Sequence, residues 1–358
     1  MNAQTLSLLL ALALSACVPS GGGDGGNGQV QVDLDDGVTP PVGDAGVGGS
    51  DATGATDGGA ADGPQLPPDA GGQAALESRL RAHVEHLATT IGSRSSRTPE
   101  ALAEAADYLQ EQLSEAGVVE RETYEARGQT FTNLVFEVVG TDVPEEVIVV
   151  GGHYDCVPTT SGADDNATGA AATLELALRF AAQPAARTLH FVFFTNEEPP
   201  FFQDDDMGSV VHARALRAAD VNVVTMFSLE MLGFYSDEPD SQELPLGLAG
   251  LFPTTANFIA FVSNGESTDQ LVEAHEAFSE SGFPSERLAA PGTIPEAGFS
   301  DHWSFWQEGY PGVMVTDTAF LRNPHYHEGT DVPATLDFER YAAVVEGLAG
   351  MLEVLANP

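Results

Sequence analysis

The chain has 358 residues, with 13 basic residues, all of them arginine, against 54 acidic ones, for a formal net charge of -41. A charge of this sign repels phosphate backbones and anionic lipid headgroups, which argues against nucleic-acid binding as the main activity. The cysteines are Cys17 and Cys156 alone, too few for a disulfide framework. The fold must therefore depend on its apolar core or on a metal.

The N-terminal segment predicts an export signal followed by a lipid-attachment site. Residues 5–14 form an apolar run of about ten, too short for a bilayer, which needs roughly 20 residues. The next residues, Leu14-Ser15-Ala16-Cys17, resemble the bacterial lipobox, which implies lipidation of Cys17. We therefore expect residues 1–17 to be a lipoprotein signal peptide. The mature protein is then an exported lipoprotein, anchored by its lipid on the periplasmic or cell-surface side of a membrane.

Residues 18–72 predict a flexible, acidic tether. From Ser20 to Gly72 the sequence is dominated by Gly, Asp, Pro, Ala and Thr and contains no arginine and no aromatic residue. Such a segment cannot bury enough apolar surface to offset its chain entropy. As a random coil of about 55 residues it has a root-mean-square span of roughly 40 Å, enough to hold a domain clear of a membrane.

From residue 73 to residue 358 the pattern alternates between helices and strands, which predicts one folded domain. Apolar residues at helical spacing predict a first helix over 76–91. A second helix begins at Thr98-Pro99, with the Thr98 hydroxyl as N-cap, and ends at Gly117. The elements that follow are extended segments 118–125, 131–139 and 147–150, helix 167–181, strand 189–195, helix 208–218, strands 223–229 and 258–262, helix 268–281, a short helix around Trp303, strand 312–316 and helix 338–355.

Apolar strands separated by helices favour an α/β fold. Strands that read as continuous apolar runs are covered on both faces, because each face must exclude water. We therefore expect a three-layer sandwich with a mixed, mostly parallel central sheet and helices on both faces.

Imidazole and carboxylate side chains follow three of the predicted strands. His153 and Asp155 follow strand 147–150, Glu197 and Glu198 follow strand 189–195, and Glu230 follows strand 223–229. Open α/β sheets build their sites at the carboxyl ends of parallel strands. We therefore expect these side chains to lie together at one edge of the sheet.

Two loops supply further candidates for the same site. Asp164 and Asp165 lie just before helix 167–181, and His325 and His327 follow the last strand. Carboxylates gathered at one place repel each other and take up protons, so such a cluster favours a divalent cation. Mixed histidine and carboxylate ligands favour zinc, with manganese and cobalt as alternatives. Each residue alone has an ordinary structural interpretation, and the agreement of three strand ends favours the metal.

Five motifs in chain order resemble one known family. They are His153-Tyr154-Asp155, the loop from Gly162 to Gly169, Asn196-Glu197-Glu198, Leu229-Glu230-Met231 and Tyr326-His327. Together they resemble the co-catalytic di-zinc aminopeptidase family of clan MH. Its relatives include bacterial leucine aminopeptidases, glutamate carboxypeptidase and glutaminyl cyclase. The resemblance extends from about residue 76 to the C-terminus.

The resemblance implies two zinc ions per chain and a role for each matching ligand. His153 and Glu230 would hold one ion, Glu198 and His327 the other, and Asp165 would bridge them. Many aminopeptidases of this type have Asp where Glu230 stands, but other members have Glu.

The resemblance also implies residues that act beside the ligands. Glu197 would be the general base for attack by a metal-bridging hydroxide. Asp155 would accept a hydrogen bond from the second ring nitrogen of His153. The peptide bond between Asp165 and Asn166 would be cis.

Four residues are candidates for the substrate pocket, and one cysteine is a packing candidate. Phe201 and Phe202, just after Glu198, either line a pocket for an apolar substrate side chain or only pack the loop. Asp301 and His302 match a family segment at the rim of the site. Cys156 is expected to pack as a small apolar residue.

The function expected from these features is that of a metal-dependent exopeptidase acting on peptides. Among exopeptidases, an aminopeptidase is favoured. Two alternatives stay open: a glutaminyl-peptide cyclotransferase on the same scaffold, and a surface protein that binds but no longer catalyses. The chain contains no Gly-x-Ser-x-Gly elbow and no His-Glu-x-x-His motif, so serine hydrolases and zincins are not supported. Amino- or carboxy-terminal specificity, side-chain preference and oligomeric state do not follow from the sequence.

Overall fold

The computed structural model describes residues 72–245 and 247–358. The predicted signal peptide, its Cys17 and the tether before Gly72 lie outside the described residues. Within the described ranges, no helix combines the length and the apolar character that crossing a bilayer requires.

The described residues form helices and strands close to those predicted. The helices are α1 Gly72–Glu85, α2 Pro99–Leu113, α3 Gly169–Ala182, α4 Gly208–Ala218, α5 Thr268–Ser279, α6 His302–Gln307 and α7 Phe338–Leu355. The strands are β1 Val119–Ala126, β2 Gln129–Val138, β3 Val143–His153, β4 Arg187–Phe194, β5 Asn222–Glu230, β6 Ile259–Asn264, β7 Ser285–Ala290 and β8 Gly312–Thr316. A π-helical turn at His86–Ile91 follows α1. A kinked turn at Ala163–Thr168, whose backbone is not helical at Asp165 and Asn166, precedes α3.

The eight strands form one sheet in the order β1-β2-β4-β3-β5-β8-β6-β7. The central strands β4, β3, β5 and β8 are mutually parallel. Strands β1, β2 and β6 make the antiparallel pairs, and β7 is parallel to β6. The expected mixed, mostly parallel sheet is confirmed, and four strands deliver their carboxyl ends to the same edge.

The apolar sequence of β3 explains its central position. Ile148 and Val150 face a core that includes residues of α1, α3 and α7. Val147 and Val149 face the opposite core, which includes residues of α4 and α6. Full burial of such a side chain stabilises the fold by roughly 1.5–3 kcal/mol relative to exposure. Helices on both faces complete the predicted three layers.

Two predictions about α2 are wrong. Thr98 does not cap the helix with its side chain: its Oγ1 donates to the carbonyl of Ser93 at 2.7 Å and accepts from the N–H of Ser95 at 3.0 Å. The helix ends at Leu113 rather than at Gly117, whose N–H instead bonds to the carbonyl of Leu113 at 3.1 Å. The Thr98 hydroxyl therefore forms its hydrogen bonds within the loop before α2 and does not cap the helix.

One strand was not predicted, and two extend further than expected. Strand β7 lies at the edge of the sheet beside β6, and its half-exposed sequence lacks β-branched apolar residues. His153 and Glu230 were expected just after their strands, but they are the last residues of β3 and β5. Both side chains are therefore held by sheet backbone.

Candidate metal centre

The structure brings all five predicted metal ligands together at the carboxyl edge of the sheet. His153 and Glu230 end the neighbouring strands β3 and β5. Glu198 lies in the loop after β4, Asp165 in the turn before α3, and His327 in the loop after β8. Parallel central strands produce this convergence because their carboxyl ends and following loops share one edge.

The five side chains form two groups that share Asp165. His153 Nε2 lies 3.3 Å from Glu230 Oε2 and 3.5 Å from Asp165 Oδ1. His327 Nε2 lies 3.2 Å from Asp165 Oδ2 and 3.4 Å from Glu198 Oε2. In each group of three, one ligand atom per residue lies within 4.8 Å of the others. Asp165 thus offers one oxygen to each histidine.

Unsatisfied buried atoms show that the two groups fit divalent cations. His153 Nε2, Asp165 Oδ2 and Glu198 Oε1 are buried without a hydrogen-bond partner. Leaving such atoms unpaired costs free energy, and buried charges in proteins are normally paired or coordinate metals. The imidazole and carboxylate donors are those that zinc prefers.

The electrostatics of the centre favour a positive charge at each histidine. Burial lowers the pKa of His327, but the carboxylates of Glu198 and Asp165 outweigh it and raise the pKa to about 11. Burial likewise opposes protonation of His153, and Glu230 and Glu197 raise its pKa well above the usual value. Burial and the neighbouring Asp165 raise the pKa of Glu198 to about 7. Without a metal the cluster therefore holds protons that a divalent cation would replace.

Glu197 lies beside the ligands but belongs to neither group of three. Its Oε2 is 3.8 Å from His153 Nε2, and its side chain is buried. Burial raises the pKa of Glu197 well above the usual value, with Glu230 and Glu198 adding to the shift and His153 opposing it. A carboxylate with a raised pKa suits the transfer of a proton near neutral pH.

Asp155 joins the ends of β3 and the loop after β4. Its carboxylate accepts the N–H groups of Glu197 and Glu198, each at 3.2 Å. His153 Nδ1 lies 3.4 Å from Asp155 Oδ1 and 3.2 Å from its main-chain carbonyl oxygen. The second ring nitrogen of His153 therefore faces Asp155 as expected. It contacts both the carboxylate and the main-chain carbonyl oxygen of that residue.

The turn that carries Asp165 is tied to the end of β5. The peptide bond between Asp165 and Asn166 is cis, in agreement with the family resemblance. Asn166 Nδ2 donates to the carbonyl of Leu229 at 2.8 Å, and Asn166 Oδ1 accepts from the N–H of Met231 at 3.1 Å. Asn166 thereby holds the Asp165 turn beside Glu230.

The segment 300–302 contains a contact that sequence reasoning missed. Ser300 Oγ donates to Glu230 Oε2 at 2.7 Å and lies 2.6 Å from Ser228 Oγ. The sequence signal for this contact is the position of Ser300, directly before the predicted pocket residues Asp301 and His302. Ser300 can hold the Glu230 carboxylate in one orientation.

Asp301 and His302 are both fully buried, in different surroundings. Neither carboxylate oxygen of Asp301 has a hydrogen-bond partner. Burial raises the pKa of Asp301 to about 7, with His153 opposing and Glu230 adding to the shift. His302 Nε2 donates to the carbonyl of Ala297 at 2.7 Å, and burial lowers its pKa to about 4. Asp301 is therefore close to the centre, and His302 contacts the main chain beside it.

An apolar cavity of about 120 Å³ borders the metal centre at Glu230 and Tyr326. The ring of Tyr326 stacks on that of His327 at a centroid distance of 3.8 Å. The apolar walls include Phe258, Phe261, Leu288, Ile294, Phe299, Met314 and Phe320. These residues come from β6, β7, β8 and the loops beside them, where no pocket residue was predicted.

Phe201 and Phe202 do not line this cavity. The ring of Phe201 is buried, packs on Phe131 at 5.2 Å and lies under the guanidinium of Arg127. Phe202 packs on Phe299, which does line the cavity, at a centroid distance of 5.6 Å. The structure thus places Phe201 in the core and Phe202 behind the cavity wall. Cys156 is likewise buried, as expected of a packing residue.

An α/β sandwich that gathers two sets of histidine and carboxylate side chains at its strand ends fits a metal-dependent enzyme. Residues 133–352 match the model of peptidase family M28, and the chain belongs to this family. The prediction of a metal-dependent peptidase from the five motifs is thereby confirmed.

Two curated relatives differ in how much of their length the chain spans. The chain is 34% identical over 289 residues to the uncharacterized protein YfbL of Escherichia coli, covering 78% of this chain and 88% of YfbL. It is 25% identical to a probable aminopeptidase of Saccharomyces cerevisiae, covering 63% of this chain and 57% of that protein. The chain therefore spans only a little more than half of the yeast relative.

Two solved structures share the fold. The zinc aminopeptidase BSAP from Bacillus subtilis superposes with a TM-score of 0.63 at 13% identity, covering 79% of this chain and 95% of BSAP. Glutaminyl cyclase from Fimbriiglobus ruber superposes with a TM-score of 0.58 at 20% identity, covering 78% of this chain and 95% of the cyclase. At these identities the likeness establishes the common α/β sandwich and nothing finer.

Proposed function

We propose that the protein is a di-zinc aminopeptidase that removes apolar residues from the amino termini of peptides. The observation that carries this proposal is the position of Asp165 between the two histidines. One of its oxygens lies 3.5 Å from His153 Nε2 and the other 3.2 Å from His327 Nε2. A carboxylate shared in this way suits two neighbouring cations.

The five ligands divide between the two proposed ions. His153 and Glu230 would hold one ion, Glu198 and His327 would hold the other, and Asp165 would serve both. When bound, the ions polarise the scissile carbonyl and lower the pKa of the attacking water.

Glu197 is the proposed proton carrier of the reaction. Its carboxylate lies next to the ligands and, with a raised pKa, takes the proton of the attacking water. It then gives this proton to the leaving amine. Asp155 supports Glu197 by accepting its N–H group and that of Glu198.

The relatives support action at the amino terminus, since they include a probable aminopeptidase of Saccharomyces cerevisiae and a probable leucine aminopeptidase of Arthroderma benhamiae. Two bound divalent cations would offset the negative charge of the ligand carboxylates, so the proposal for the amino terminus rests on these relatives and not on the charge of the centre. The adjoining cavity of about 120 Å³ has mostly apolar walls and suits one apolar side chain.

The direct test is a panel of aminoacyl p-nitroanilides. We expect hydrolysis of leucyl p-nitroanilide, weak hydrolysis of the aspartyl compound, and none of N-acetyl-leucyl p-nitroanilide. Chelator should abolish hydrolysis and zinc should restore it. Release of carboxy-terminal residues from N-acetylated peptides, without aminopeptidase activity, would contradict the proposal.

Assays on the same purified protein distinguish the aminopeptidase from two other functions. Cyclisation of an amino-terminal glutamine, with release of ammonia, is the reaction expected of a glutaminyl cyclase, whose fold this chain shares. Binding of zinc without turnover on either substrate class indicates a protein that binds but does not catalyse. The shared Asp165 and the presence of Glu197 favour the aminopeptidase over both.

We further propose that the protein is exported and anchored through a lipid on Cys17, since the segment 14–17 resembles a lipobox. Cys17→Ala should move the protein from the membrane fraction of a bacterial host to the soluble fraction. Retention of the variant in the membrane fraction would contradict the lipid anchor.

A further inference from the structure

Arg94 is a fully buried arginine that lies behind the metal centre. It precedes residues 133–352, the part of the chain that matches the family model. Five main-chain carbonyl oxygens lie within hydrogen-bond distance of its guanidinium, and three of them share the two N–H groups of Nη1. The acceptors are Tyr154 at 2.8 Å, Leu87 at 2.9 Å, Gly92 at 2.9 Å, Ser161 at 2.8 Å and Gly162 at 2.9 Å.

These bonds connect Arg94 to two parts of the metal centre. Tyr154 follows the ligand His153 at the end of β3. Ser161 and Gly162 begin the short segment that leads to the ligand Asp165. One planar guanidinium thereby fixes the distance between the end of β3 and the start of this segment.

Asp331 contacts the same segment and has the opposite charge to Arg94. Its carboxylate accepts the N–H group of Asp164 at 2.9 Å and that of Asp165 at 3.2 Å. Its carbonyl oxygen accepts the hydroxyl of Ser161 at 2.5 Å. Asp331 is fully buried and follows the ligand His327 in the same loop.

The segment 161–165 is therefore held from both sides by charge-assisted hydrogen bonds. The carbonyl groups of Ser161 and Gly162 accept from Arg94, and the N–H groups of Asp164 and Asp165 donate to Asp331. Bonds of this kind are roughly twice as strong as those between neutral groups. Gly162 has a φ of 58°, and a Cβ there would lie 2.5 Å from the carbonyl oxygen of Asp165 and 2.9 Å from Arg94 Nη2. A side chain at position 162 would therefore push the segment away from Arg94.

We propose that Arg94 and Asp331 are positioning residues that clamp the segment 161–165 so that Asp165 can serve both groups of ligands. Neither side chain is among the five ligands or contacts the substrate cavity. The clamp acts through main-chain bonds to the neighbours of His153 and Asp165, and through the loop of His327. This inference rests on the proposed function only for its assumption that the centre binds zinc.

The test measures zinc affinity and thermal stability separately in the full chain. Zinc dissociation constants are obtained by competition with a chelator, and Tm is measured on the metal-free protein. Asp331→Asn keeps the size of the side chain but replaces one of the two acceptor oxygens by a donor. Arg94→Lys keeps the charge but replaces the planar fork of five donors by the three donors of a single nitrogen. Arg94→Met removes charge and donors together.

The control is Glu175→Gln, which alters a buried carboxylate outside the clamp. Glu175 pairs with Arg79 at 2.9 Å and with His83 at 3.2 Å. We expect this variant to lower Tm and to leave zinc affinity within about twofold of wild type. Loss of an outer contact to a metal ligand typically weakens metal affinity by about 10–100-fold, and we expect a loss of this size for Asp331→Asn and Arg94→Met. Arg94→Lys should recover only part of it.

Two results separate failure of the clamp from failure of the proposed function. If Asp331→Asn and Arg94→Lys bind zinc as wild type does while their Tm falls as in Glu175→Gln, the two residues only stabilise the fold and the clamp is wrong. If all variants show the expected affinities but wild type hydrolyses no peptide, the clamp stands and the proposed function fails. If Arg94→Met does not fold, Asp331→Asn and Arg94→Lys still decide the outcome.

Discussion

Glu197 and Glu198 are adjacent in the chain but face different parts of the centre. Glu198 Oε2 lies 3.4 Å from His327 Nε2, within one group of ligands. Glu197 Oε2 lies 3.8 Å from His153 Nε2 and belongs to no group. The N–H groups of both bond to the carboxylate of Asp155, so one side chain sets the main chain of both residues. This difference in position is the basis of the roles proposed for them, metal binding for Glu198 and proton transfer for Glu197.

The first prediction concerns this separation of roles. Glu197→Gln should lower kcat by about 10²–10⁴-fold, because general acid–base catalysis contributes about that much. Its zinc content, measured by atomic emission, should stay that of wild type. Glu198→Gln is the matched comparison and should lose zinc as well as activity. Full activity in Glu197→Gln, or equal zinc loss in both variants, contradicts the assignment.

The second prediction concerns Ser300, which donates to Glu230 Oε2 at 2.7 Å. Ser300→Ala should weaken zinc binding about tenfold, because Glu230 loses the contact that orients it. Ser304→Ala is the control: Ser304 is buried on the following helix, and its hydroxyl lies 2.8 Å from Ser209 Oγ and 3.9 Å from Met207 Sδ, neither of which is a candidate ligand. Competition with a chelator measures the zinc affinity of each variant. Equal zinc affinities in Ser300→Ala and Ser304→Ala would show that Ser300 has no effect on zinc binding.

At the scale of elements, the site depends on how closely β3, β5 and α3 approach each other. A Cβ at Gly152 would lie 2.8 Å from the carbonyl oxygen of Leu229. A Cβ at Gly169, the first residue of α3, would lie 2.1 Å from the same oxygen and 2.5 Å from Asn166 Oδ1. These glycines allow the backbone carrying His153 and the turn carrying Asp165 to contact the end of β5.

The third prediction tests this close approach. Gly169→Ala should destabilise the fold by roughly 1–3 kcal/mol or more, as overpacking does, and weaken zinc binding by displacing the turn of Asp165. Gly265→Ala is the control, because a Cβ there meets no atom within 4 Å. Thermal unfolding and chelator competition provide the two measurements. A Gly169→Ala protein with the Tm of wild type would contradict the packing described here.

The sequence predicted those elements whose pattern depends on local chemistry. The bounds of α4, β8 and α7 were predicted as the structure has them. The convergence of the five candidate ligands could be predicted because they follow or end strands and match motifs in order. Strand β7 could not, since an edge strand with a half-exposed surface lacks a continuous apolar run. The cavity, Arg94 and Asp331 could not either, because they depend on side chains and main-chain groups brought together only by the packing of distant segments.

At the scale of the whole molecule, acidic side chains are found in the interior as well as on the surface. Burial raises the pKa of Glu198 and of Asp301 to about 7, and the pKa of Asp317 and of Asp331 to about 6. The usual values are 4.5 for Glu and 3.8 for Asp, so the folded state binds these protons more tightly than the unfolded chain does. Stability from these groups is present at low pH and is lost as pH rises from about 4 through 6 to 7.

The fourth prediction follows from this linkage. The Tm of chelator-treated protein should fall between pH 5 and pH 8. His327 acts in the same direction, because its folded pKa of about 11 lies above the usual 6.5 and its contribution declines as pH rises. Zinc should bind more tightly as protons leave, so the difference in Tm between zinc-loaded and metal-free protein should widen with pH. A metal-free Tm that rises over this range would contradict the sign of these pKa shifts.

We propose above all that residues from two strand ends, two loops and one turn hold two cations that share Asp165. Anomalous X-ray scattering at the zinc edge, from crystals of the zinc-loaded chain, tests this claim most directly. The account predicts two zinc peaks, one beside His153 and Glu230 and the other beside Glu198 and His327, with Asp165 in contact with both. A single peak served by one group alone, or peaks elsewhere in the molecule, would contradict it.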